Sequence, residues 1–162
     1  MEHTVKDKYA KMVRVYKRLE KISTDNGQKI SNTEAKDAAE EFFNQCYHLK
    51  DFFKKDASIL VNGNVIEEYI NNDPNLSLAA DYCNTFKHAG LNRRPRSGKI
   101  IEKINTHIYF HHPTDKGISN LSRIEFKVDG KSYDVFDVAT ECLKAWNNFL
   151  KSNNLQNIID LV

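Results

Sequence analysis

Residues 81 to 99, DYCNTFKHAGLNRRPRSGK, place Asp81, Asn84, Lys87 and His88 within eight positions, then Arg93, Arg94 and Arg96 within four, with Lys99 close behind. These residue types move protons and hold phosphate. An imidazole changes charge near neutral pH, and a guanidinium matches two phosphate oxygens at once. Half of the chain's six arginines stand in this one short stretch. On a helix, at about 100° per residue, Ser77, Asp81, Asn84 and His88 fall within a sector roughly 60° wide and form one polar stripe. His88 ends that stripe in the last turn, where the helix dipole favours the protonated ring. The spacing therefore predicts a solvent-accessible face with the arginine loop within reach. His88 would transfer the proton and Asn84 and Asp81 would orient it, while Lys87, Arg93, Arg94, Arg96 and Lys99 would hold phosphate. An ordinary polar helix face followed by a solvated loop would give the same residues, so both readings stay open.

A second group lies in CYHLKDFF, residues 46 to 53. There His48 and Asp51 share the polar side of a helix with Asn44 and Lys55. They join the first group only if the two helices are neighbours with these sides converging; otherwise they are a solvated face or a helix-helix contact. His107, His111 and His112 lack a Cys or carboxylate at ligand spacing, so no metal is expected. No cofactor motif is present either.

The elements that must position these groups follow from hydrophobic period and end signals. Val5, Tyr9, Met12, Val13, Tyr16 and Leu19 predict a helix over 5–23. Thr33 as N-cap opens a second over 33–54, with Ala35, Ala38, Ala39, Phe42, Cys46, Leu49 and Phe53 on one face. A short helix is expected over 64–71. Asp73 before Pro74 starts a helix over 74–89 that Gly90 closes, with Leu76, Ala79, Ala80, Cys83 and Phe86 toward the core. The period then falls to two. Strands are expected over 99–111, with Ile100, Ile104, Ile108 and Phe110 on one face, and over 121–128, with Ile124, Phe126 and Val128. Asp129-Gly130 is a hairpin signal leading to a third strand near 131–133. Asp134 caps a last helix over 135–151, and the tail LQNIIDLV packs back. The fold expected is mainly α: one domain over 1–162, a helical bundle with a small antiparallel β-hairpin or sheet inserted at about 99–134 before the C-terminal helix.

The 162 residues carry a net charge of +2 and a pI near 8.3, so the whole surface does not demand a nucleic-acid partner and any such case is local. The N-terminal stretch lacks the apolar core of a signal peptide, and no apolar run approaches the ~20 residues that span a bilayer. A cytoplasmic protein without membrane contact is expected. Cys46, Cys83 and Cys142 are odd in number and widely spaced, and read as reduced, mostly buried thiols.

CYHLKDFF, DYCNTFKH with its N-x-x-K-H pattern, and VDGKSYDVFDVATECLKAWNNFL together resemble a group of small bacterial helical proteins similar to the HEPN superfamily, over roughly residues 30 to 150. The resemblance implies an RNA-binding, metal-independent endoribonuclease of toxin or phage-defence type whose active site forms across a homodimer. It carries the catalytic His onto His88 and a polar partner onto Asn84. Such ribonucleases place an Arg four to six residues before the His. Here Tyr82, Cys83 and Asn84 stand there, none of them an Arg, which leaves Lys87 or Arg93 to supply the cation. That departure supports the alternative, a catalytically inert helical module for dimerisation or protein interaction. A DNA-binding regulator using the basic loop is a third reading, without a recognition-helix signature.

Overall fold

The computed structural model describes residues 4–24, 31–87, 94–110 and 120–160. Its elements, in chain order, are α1 (Val5–Thr24), α2 (Asn32–Lys55), α3 (Gly63–Asn72), α4 (Pro74–Lys87), β1 (Ile101–Phe110), β2 (Asn120–Val128), β3 (Lys131–Asp134), α5 (Val135–Ser152) and α6 (Gln156–Ile159). The expected class is present: a mainly helical fold with a three-stranded antiparallel sheet, ordered β1-β2-β3, ahead of α5. Among the described residues no helix is long and apolar enough to cross a membrane.

Local signals explain most of the boundaries. The Asp73 carboxylate accepts from the backbone N–H groups of Asn75 and Leu76 at 2.9 and 2.8 Å, which caps α4 ahead of Pro74. Asp134 caps α5 in the same way, accepting from Asp137 N at 3.0 Å. The N-cap of α2, however, is Ser31 rather than Thr33. Ser31 Oγ accepts from Glu34 N at 3.2 Å while Glu34 Oε2 accepts from Ser31 N at 2.9 Å. This reciprocal pair needs an acceptor three residues on. Thr33 has the cation Lys36 there.

Asp129 and Gly130 both take positive φ, 48° and 75°, as the tight β2–β3 turn requires. Ile124, Phe126 and Val128 point inward from β2 and are all but fully buried. On β1 the expected phase is inverted at its start: Ile101 is buried, whereas Ile100 is 61 % exposed. A register irregularity between Ile101 and Lys103 breaks the simple alternation there.

One hydrophobic core links all of these elements. Phe126 sits within 6.2 Å of the Phe43 ring, 5.9 Å of Tyr82 and 5.8 Å of Tyr133, so the sheet joins the helical core instead of hanging from it. Trp146 of α5 stacks on Phe53 of α2 at 5.7 Å, and Phe149 meets Tyr69 of α3 at 4.9 Å. Ile158 of α6 is buried, so the tail does pack back. Helix α4 runs through the middle of the assembly and packs on α2, α3, α5 and β1. Every residue from Leu76 to Cys83 is buried as a result.

Candidate functional site

That central position corrects the expected polar stripe. Ser77 and Asp81 are 2 % and 1 % exposed, because a helix enclosed by four elements has no free face along those turns. Of the stripe's described members, only Asn84, half-buried, remains near the surface. The Asp81 carboxylate is held by the basic loop. Oδ1 accepts from Arg96 N at 2.7 Å, and Oδ2 accepts from Ser97 N at 2.8 Å and from Ser97 Oγ at 2.6 Å. A buried carboxylate needs such donors, and here they come from the loop. Asp81 anchors the loop. A turn closed by Gly98 N donating to Pro95 O at 3.2 Å, with Gly98 at φ 71°, completes the anchored loop.

The anchored loop carries Arg96 back over α2 and α3. There three cations converge on one carboxylate. Glu67 Oε1 accepts from Lys50 Nζ at 3.0 Å and from Lys54 Nζ at 2.5 Å, while Oε2 accepts from Arg96 Nη1 at 2.8 Å. Arg96 also donates to Asn71 Oδ1 and, through Nη2, to the Tyr47 hydroxyl at 3.2 Å; Lys50 donates to that same hydroxyl at 2.9 Å. Lys50 and Arg96 both lie against the Tyr47 ring, 4.1 and 5.5 Å from its centroid. Burial by itself would raise the Glu67 carboxyl, but the bonds from Lys54, Arg96 and Lys50 outweigh it and hold the group down at about 2. The cluster therefore keeps two positive charges in excess, one of its three cations being a nearly buried lysine.

The second expected group is brought to α4. Helices α2 and α4 are neighbours, and His48 bridges them. Its Nδ1 lies 2.8 Å from Asp51 Oδ2, and its Nε2 lies 3.9 Å from the Sγ of Cys83. Asn44 Oδ1 stands 3.8 Å from the same sulfur. The His48 ring is 5.3 Å from the Tyr47 ring, so this group adjoins the cation cluster across one aromatic side chain.

Of the remaining expected site residues, Arg94 is exposed on the anchored loop, and Lys99 Nζ donates to the Tyr133 hydroxyl at 3.2 Å instead of pointing to a shared cleft. His88, Arg93, Gly90, His111, His112 and the Lys87 side chain lie outside the described residues. Among the described residues no group of His, Cys, Asp and Glu is arranged to hold a metal ion. Tyr47, Lys50, Lys54 and Glu67 are the residues that sequence reasoning missed. The one local trace of them is the Lys50/Lys54 pair, a helical turn apart beside Tyr47.

Compared with known proteins, this chain matches no protein-family model, no curated protein and no solved structure.

Proposed function

We propose that this protein binds RNA through its phosphate backbone, at the cluster of Lys50, Lys54 and Arg96 with exposed Arg94 beside it. The observation that carries this reading is the sharing of the single Glu67 carboxylate by three cations. Such a site compensates only part of its positive charge internally, and a phosphate oxygen offers the same acceptor geometry as Glu67. Asp81, by pinning the loop, keeps Arg96 in place before any ligand arrives, which lowers the ordering cost of binding. This agrees with the HEPN resemblance of the sequence, and cleavage by His88 and assembly as a homodimer belong to the same proposal. A cytoplasmic setting in toxin action or phage defence is the context that resemblance implies.

The inert interaction module is favoured by one specific observation: the buried Asp81 carboxylate is taken up by the loop backbone and the Ser97 hydroxyl. A single experiment separates the two. Fluorescently labelled single-stranded RNA is titrated with the protein in EDTA at several salt concentrations, and the RNA is then run on a denaturing gel. Salt-dependent binding that weakens in the Lys50→Ala/Lys54→Ala double variant is the expected result, with a salt slope lower by roughly 0.7 for each phosphate no longer neutralised. Cleavage abolished by His88→Ala adds the nuclease. Binding without cleavage leaves an RNA-binding domain without the chemistry. Absence of binding at low salt removes the RNA reading and leaves the interaction module.

A further inference from the structure

The geometry points to Cys83, His48 and Asp51 as a thiol-nucleophile site that takes an acyl group from an ester or thioester. It depends on neither RNA binding nor the phosphate cluster. Three groups stand in the order that nucleophilic catalysis needs: a thiol, a base within reach of it, and a carboxylate behind the base. Asp51 lies 2.8 Å from Nδ1, so it takes the N–H there and leaves the Nε2 lone pair toward Cys83 Sγ at 3.9 Å. An ion pair serving the surface of α2 would account for Asp51 alone. It would not account for the opposite ring nitrogen facing a thiol on another helix, 35 positions along the chain.

The surroundings fit the same chemistry. All three cysteines are buried in the core, Cys83 at 7 % exposure, against 1 % for Cys46 and 0 % for Cys142. The Asn44 carboxamide oxygen accepts from the Cys83 thiol at 3.8 Å, which fixes the sulfur between α2 and α4. From α1 the Lys8 ammonium lies over the Phe52 ring at 5.1 Å. Burial and Lys11 make that ammonium easier to deprotonate, and Asp51 and Cys83 act on it in the opposite sense.

In the first half-reaction, Cys83 Sγ adds to the acyl carbon while its proton passes to His48 Nε2. The bond to the leaving alcohol or thiol then breaks, and His48 returns the proton to that leaving group. Cys83 is left as an S-acyl thioester. In the second half, His48 takes a proton from water as the oxygen adds to the acyl carbon. The carbon–sulfur bond breaks, the carboxylic acid departs, and the proton restores the thiol. Only ester or thioester and water are consumed.

The test uses the full chain and p-nitrophenyl acetate, following nitrophenolate release and locating the acetyl group by peptide mass mapping. Acetylation of Cys83 ahead of Cys46 and Cys142 is expected, and Cys83→Ser should remove it. His48→Gln keeps an amide able to bond Asp51 but cannot take the proton, and should slow acetylation of Cys83 by about 10² to 10⁴. If His48→Gln acetylates Cys83 as fast as the unmutated protein does, His48 is structural and the inference is overturned. Acetylation of Cys46 or Cys142 in preference to Cys83 overturns it equally. Should the variant fail to fold, iodoacetamide decides on the unmutated chain: Cys83 should alkylate faster in the folded protein than in urea, and slower alkylation when folded refutes an activated thiol.

Discussion

The carboxylate of Asp81 and the backbone of Arg96, fifteen positions apart, are joined at 2.7 Å, and this bond holds the basic loop against a helix that has no exposed face at that point. With the two bonds from Ser97, it makes Asp81 the link between the buried middle of the molecule and its cationic cluster.

Replacing Asp81 by Ala strands two backbone N–H groups and a hydroxyl that are now satisfied. A loss of about 3 kcal/mol is expected, the scale of a buried charged acceptor, read as a lower urea midpoint. RNA affinity should fall as well, since Arg96 is released with the loop. Asp81→Asn, which still accepts through one oxygen, should lie between.

Glu67 sets a pH dependence. Its folded carboxyl is held at about 2, against an ordinary 4.5, so it stabilises the fold fully above about pH 4.5 and that contribution is lost as pH falls toward about 2. Urea midpoints of the unmutated protein should therefore drop more steeply across this window than those of Glu67→Gln. Parallel curves would mean that the three cations do not favour the ionised form. At neutral pH, Glu67→Gln should bind RNA more tightly, because a competing carboxylate is gone.

Arg94 and Arg96 should separate stability from binding. Arg96 is bonded to Glu67, Asn71 and Tyr47, whereas Arg94 is exposed. Arg94→Ala should keep stability within about 0.5 kcal/mol and weaken RNA binding. Arg96→Ala should reduce both, as paired denaturation and binding titrations would register.

Phe126→Ala tests whether the sheet and the helices unfold together. The ring is fully buried among Phe43, Tyr82 and Tyr133, so a cost of about 3 to 5 kcal/mol is expected. Far-ultraviolet circular dichroism and tryptophan emission from Trp146 should still report one coincident transition, at lower denaturant. Two separated transitions would make the sheet an independent unit.

The sequence by itself determined the element order, the caps at Asp73 and Asp134, the Asp129-Gly130 turn and the inward faces of α2 and β2. Those features rest on period and on bonds between residues a few positions apart, which the chain carries locally. It did not determine the Ser31 cap, where a reciprocal Ser–Glu pair outcompetes a lone threonine. Nor did it determine the fate of Asp81. A helical period fixes an angle around an axis but says nothing of what stands there, and α4 is surrounded by α2, α3, α5 and β1. The two candidate sites were decided the same way. Lys50 and Arg96 meet Glu67 from 17 and 29 positions away, and His48 meets Cys83 from 35. Side-chain chemistry says which groups can pair. Only packing decides which of them are brought within bonding distance, and which charges lose enough water for that pairing to matter.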